Sequence, residues 1–265
     1  MKVLAAILLS VIMLSSGFMI NSPAIAEPNE KANDRAKYVF KLPANAVEIA
    51  PGIYHIGTAI HEGKIVDGIV AYHHKTGHNG GPGNGGPGSN DEPTSTCFAF
   101  LANGVKWNTI EDYLVDPSNT VGLNEDGVRS KIATAIQTWE DSTTGNIFGI
   151  EVSGNVDGVM NNEPDNKNEV FFGDVDGSNS IAVTIVWGIF RGPPSERELV
   201  EWNQVYDQVE FTSWSLTGEP DTMDFLNIAT HEVGHAAGLG HPDSSCTEET
   251  MFAFASLGET KKQDL

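Results

Sequence analysis

His231-Glu232-Val233-Gly234-His235-Ala236-Ala237-Gly238-Leu239-Gly240-His241 decides how the rest of the chain is read. The pattern is H-E-x-x-H-x-x-G-x-x-H. Residues four apart on an α-helix share a face, so His231 and His235 can offer both imidazoles to one metal ion. Glu232 can reach a water on an open coordination position and act as general base. A catalytic zinc needs a third protein ligand, which a continuing helix supplies with poor geometry. Gly238 can take positive φ and turn the chain out of the helix, so His241 can swing back to the same ion. Phe225, Ile228, Ala229 and Ala236 give the helix, expected over residues 222–237, an apolar backing.

Upstream, Asn124 is a plausible N-cap and Glu125-Asp126 suit the positive end of a helix. Val128, Ile132, Ala135, Ile136 and Trp139 then fall on one helical face, and Gly145 closes it. Strands are expected near 97–107, 148–152, 169–172, 181–187 and 199–206. Strand, long helix, several strands, helix is the order of an α+β or α/β sandwich built on one sheet. No repeat of solenoid period is present.

Further upstream, residues 53–58 and 65–74 are β-rich runs around His61-Glu62-Gly63-Lys64 and read as a hairpin. Residues 78–93, rich in Gly and Pro, cannot hold a core and read as a flexible linker. The organisation expected is therefore a small β-rich N-terminal module or pro-region over 27–77, a linker over 78–93, and a body over 94–265. Residues 1–26 have the pattern of a secretory signal peptide: Lys2, an apolar run to Ile20, and an Ala24-Ile25-Ala26 ending. The alternative, an uncleaved anchor, has no use for that ending. The mature chain is expected outside the cell or in the envelope, without a stable membrane span.

The 265 residues carry 36 Asp+Glu against 15 Lys+Arg, a net charge of -21. That balance argues against nucleic acid and against anionic membranes as partners. Hydrophobic residues make up 40%, enough for a packed core. The eight histidines are His55, His61, His73, His74, His78, His231, His235 and His241. None lies between 79 and 230, so the body can build one zinc site and no second histidine site. Cys97 and Cys246 are the only cysteines. In a compartment where disulfides persist they are expected to pair. The rival is that Cys97 caps the zinc as a thiolate. Asp174, Asp176, Asn179, Asp207 and Glu210 are candidate Ca2+ ligands; solvated turn carboxylates are the alternative.

Residues 231–241 resemble the zinc signature of the metzincin metallopeptidases, most closely the matrixin-like group. Met251, in Thr250-Met251-Phe252, matches the methionine those enzymes place in a turn beneath the metal. The resemblance implies an α+β catalytic domain: a twisted mixed sheet with two helices above the cleft and a short C-terminal lower half after the methionine turn. It implies a zinc metalloendopeptidase with one catalytic Zn2+ and a protein or peptide substrate. The substrate would lie along the strand before the active-site helix, here 199–206. The alternative function is a catalytically inactive zinc-containing adhesion or surface-binding protein. The chain departs from matrixins in lacking a P-R-C-G-type cysteine-switch run. Pro242 stands where they typically have Ser, and only 14 residues follow Met251.

Overall fold

The structure is a computed structural model that describes residues 37–76, 97–158, 163–177 and 179–265. The expected signal peptide and the Gly/Pro-rich run lie outside these residues. In chain order the strands are β1 (Val39–Phe40), β2 (Val47–Ala50), β3 (Ile53–His61), β4 (Lys64–Lys75), β5 (Ala99–Phe100), β6 (Tyr113–Asp116), β7 (Asn168–Val175), β8 (Ser180–Ile189), β9 (Glu198–Asp207), β10 (Trp214–Ser215), β11 (Met223–Asp224), β12 (Leu239–Gly240) and β13 (Phe254–Ala255). The helices are α1 (Glu125–Asp141) and α2 (Phe225–Ala236).

One mixed sheet organises the molecule, in the order β1-β7-β9-β8-β4-β3-β2, with β6 on β7 and β13 on β4. β7 and β9 are parallel; β8 is antiparallel to both β9 and β4. Central strands covered on both faces read as continuous apolar runs, and Ile181–Trp187 is such a run. Alternation along β8 sends Ala182 and Val186 to the core beneath the helices, and Val183, Ile185 and Trp187 to a second core on the opposite face.

The helices lie on one face. Asn124 caps α1, its side chain accepting from the Gly127 N–H at 2.9 Å. Val128, Ile132, Ala135, Ile136 and Trp139 are its buried stripe. Trp139 Nε1 donates to the Thr230 carbonyl at 2.7 Å and joins α1 to α2. Asp224 caps α2 through the Asn227 N–H at 2.8 Å. The residues after Met251 form no long helix. They lie along α2, with the Lys262 N–H donating to Asn227 Oδ1 at 2.7 Å and Gln263 Nε2 to Asp224 Oδ1 at 2.7 Å. Backbone and side-chain hydrogen bonds fasten this short lower half directly to the helix.

Three expectations need correction. The β3–β4 hairpin forms as read, turning at Glu62 and Gly63 with φ of 47° and 79°, but it is not a separate module. β4 pairs with β8 from Asp67↔Gly188 to His74↔Ser180 and continues the main sheet. Val66, Val70 and Tyr72 share the second core with Val183, Ile185 and Trp187; burying both sets of apolar side chains together favours the joined sheet. Residues 198–207 are not a sheet edge, because β9 lies between β7 and β8. The runs at 97–107 and 148–152 supply only the short β5 and isolated bridges at Trp107 and Glu151.

Candidate metal centre

α2 delivers His231 and His235 from one face, as a separation of four residues requires. The helix ends at Ala236; Gly238, at φ +98°, then redirects the chain. Leu239 and Gly240 pair with Phe100 and Ala99, and the Leu101 N–H donates to the Gly238 carbonyl at 2.9 Å. That short ladder holds His241 opposite the helix. Cys97 and Cys246 are disulfide-bonded, with Cα atoms 5.5 Å apart, so the ladder and the third-histidine loop are stapled beside it. The Cys97 sulfur is therefore in that bond, not a thiolate over the metal site.

Each imidazole donates from Nδ1 to a main-chain carbonyl: His231 to Thr250 at 2.7 Å, His235 to Leu239 at 2.8 Å, His241 to Pro51 at 3.0 Å. A neutral ring that donates at Nδ1 carries its lone pair on Nε2. The three Nε2 atoms converge, those of His231 and His235 lying 3.0 Å apart. His241 Nε2 is buried with no hydrogen-bond partner. Converging lone pairs repel unless a cation lies between them. In a tetrahedral zinc site, nitrogen ligands about 2 Å from the ion stand roughly 3.3 Å apart. The triad thus fits a metal ion, and its carbonyl partners fix tautomer and ring orientation as outer partners of metal-binding histidines do. Burial holds all three imidazoles below their ordinary pKa, His235 at about 4, so they are neutral and able to ligate.

Glu232 is fully buried beside them. Its Oε2 accepts from Thr184 Oγ1 at 2.6 Å, whereas Oε1 has no hydrogen-bond partner. Burial pushes its carboxyl up to about 8; a cation on the imidazoles would draw it down again. His73, on β4, faces this pair. Its ring stacks on His231 at 3.8 Å between centroids, and its Nδ1 lies 3.3 Å from Glu232 Oε1. Lys262 Nζ is 3.1 Å from His73 Nε2 and is itself buried, which lowers its pKa to about 7. Thr184 and Lys262 escape sequence reasoning, and His73 is only one of five N-terminal histidines (His55, His61, His73, His74 and His78) that could reach the metal. Thr184 reads as one more β-branched residue of a buried strand, and nothing local says that strands from positions 73 and 184 flank the helix.

Met251 lies under α2. A Cβ added at Gly234 would come within 2.2 Å of Met251 Sδ and 2.6 Å of Trp139 Cζ2, so only glycine admits that contact. Of the candidate calcium residues, Asp174, Asp207 and Glu210 come together. Asp207 already accepts from the N–H groups of Val175, Val209 and Phe211. Asp176 stands outside that cluster, and the Asn179 carbonyl accepts from the Lys75 N–H at 2.9 Å.

The family model described as Matrixin matches residues 106–265, more than half of the chain, and the chain belongs to that family of metallopeptidases. No curated protein matches it. Among the described residues, no helix is long and apolar enough to cross a membrane.

Proposed function

We propose that this matrixin is a secreted zinc endopeptidase, with His231, His235 and His241 as metal ligands and Glu232 as general base. The observation that carries the reading is the convergence of three Nε2 lone pairs beside a buried carboxylate whose Oε1 accepts no hydrogen bond. Zinc, when bound, supplies Lewis-acid polarisation of the scissile carbonyl and lowers the pKa of water. Thr184 donates to Oε2 and fixes the carboxylate, leaving Oε1 to take the proton of the attacking water and return it to the leaving nitrogen. Met251 packs the underside of α2 and keeps its ligands in register. A substrate main chain pairs with a strand edge; within the matched residues the strand that touches Glu232 is β8. The Ala24-Ile25-Ala26 ending and the disulfide both support export, which a mature N-terminus near Glu27 in exported material would test.

Casein cleavage tests the reading. The full chain is assayed as purified and after nicking within residues 78–93. Cleavage in either state that a chelator abolishes and zinc restores is the expected result. A chain that holds zinc and cleaves in neither state would instead support the zinc-containing adhesion protein.

A further inference from the structure

We infer that Lys262 gives the peptidase a preference for glutamate beside the scissile bond, and against aspartate; the inference rests on the peptidase reading above. Within the matched residues β8 presents an edge on the side away from β9. β4 lies on that edge, antiparallel, with His73 opposite Ala182. A substrate main chain that pairs with β8 takes the place β4 holds. One of its side chains then enters the slot that holds the His73 ring. That slot adjoins the chemistry. The ring stacks on His231 at 3.8 Å, and its Nδ1 lies 3.3 Å from Glu232 Oε1.

Lys262 closes the far end of the slot. It is fully buried, its N–H donates to Asn227 Oδ1 on α2 at 2.7 Å, and its Nζ reaches His73 Nε2 at 3.1 Å. Nζ also donates to the Phe252 carbonyl and lies 5.8 Å from the centre of the Phe252 ring. Neither hydrogen-bond partner carries negative charge, and burial holds the His73 imidazole well below its ordinary pKa. Glu259 and Glu232 act on the ammonium only through space. A cation buried among neutral groups is stabilised by an arriving carboxylate, whereas a neutral amide of the same shape leaves it uncompensated.

Chain length then separates the two acidic side chains. A glutamate oxygen stands as many bonds from the main chain as His73 Nε2, the atom that meets Lys262. An aspartate oxygen stands as many bonds out as His73 Nδ1, the atom that faces Glu232 Oε1. Like charges brought together in a buried site repel. Glutamate in the slot meets the ammonium; aspartate meets the carboxylate.

The test has two arms. In the first, the full chain nicked within residues 78–93 digests a peptide library, and mass spectrometry reads the residues around each cut. Glutamate should be enriched at one position flanking the bond. On peptides that differ only there, kcat/KM should fall about 10-fold or more from glutamate to glutamine, with aspartate no better than glutamine. Lys262→Met should bring the glutamate-to-glutamine ratio near one, a change of selectivity that a general loss of folding does not produce. The second arm needs no turnover. His73→Glu and His73→Gln are made in the full chain with and without Lys262→Met, and chemical denaturation reads the cycle. Lys262 should favour glutamate over glutamine at position 73 by a factor of about 10 in the folding equilibrium, and Lys262→Met should abolish the difference. Cleavage without preference for glutamate, or a preference that Lys262→Met leaves unchanged, would overturn the inference and leave the peptidase reading standing. Coupling in the second arm with no cleavage in the first would overturn the peptidase reading and keep Lys262 as an anion site. Absence of coupling in the second arm would overturn the inference.

Discussion

α2 and the β3–β4 hairpin both bring histidine to one centre, and they do so by opposite means. In α2 the spacing of His231 and His235 is the geometry, since 3.6 residues per turn puts them on one face wherever the helix lies. His73 reaches the same place only because β4 pairs with β8, more than a hundred residues away in sequence. Wherever α2 is helical its two histidines share a face; unpairing β4 would leave His73 with nothing to face. Chemistry written in local spacing is legible in a sequence, whereas chemistry written in strand order is not.

The largest expected effect tests what holds the α2 side together. Replacing both cysteines, Cys97→Ser with Cys246→Ser, opens a loop with a sequence separation of 149. The chain-entropy model puts the loss at about 5 kcal/mol. Chemical denaturation should show a loss of that order, and zinc should leave at lower chelator concentration because the His241 loop is freed. Unchanged stability would mean that the β5–β12 ladder alone places the third histidine.

Next is Glu232→Ala, measured on the full chain as purified and after nicking within residues 78–93. Cleavage should fall by about 10²–10⁴ while zinc remains. Loss of zinc together with activity would show that the carboxylate supports the ligands instead of the proton transfer.

Two glycines set the regions against each other. Gly234→Ala drives a Cβ onto Met251 Sδ and should cost about 1–3 kcal/mol while weakening zinc retention. Gly68→Ala, in β4, drives a Cβ to 2.7 Å from Ile56 Cγ1 and 2.8 Å from the Trp187 ring. It should cost a similar ~1–3 kcal/mol, but on the hairpin, so zinc stays bound. Loss of zinc from Gly68→Ala would show that the hairpin, too, holds the metal centre together.

The smallest effect is one of pH. Glu201 is buried near Asp165, and its carboxyl is pushed up from 4.5 to about 8. Between those values the folded chain holds a proton that the unfolded chain has lost, so stability falls as pH rises through that window. Glu201→Gln should flatten the decline in melting temperature from pH 5 to 8. An unchanged slope would place the dependence elsewhere.

The same division sorts what was legible. Asn124, the five buried residues of α1, the placing of His231 and His235 on one face of α2 and the Glu62-Gly63 hairpin turn are decided within a few residues of themselves, and each forms as read. The burial of β9 between two neighbours, Thr184's contact with Glu232, and the merging of the hairpin into the main sheet depend on which strands meet. A buried apolar run carries no record of its partners, because pairing is made by backbone groups that every strand shares. Cys97 and Cys246 were legible for another reason: with two cysteines there is one possible pair.

The central claim is that three imidazoles hold one metal ion next to Glu232. Native mass spectrometry of the purified folded chain, beside its His235→Ala variant, tests it most directly. One zinc per chain, lost in the variant while circular dichroism is retained, is the result expected. A zinc-free chain, two zinc ions per chain, or a variant that keeps its zinc would contradict it.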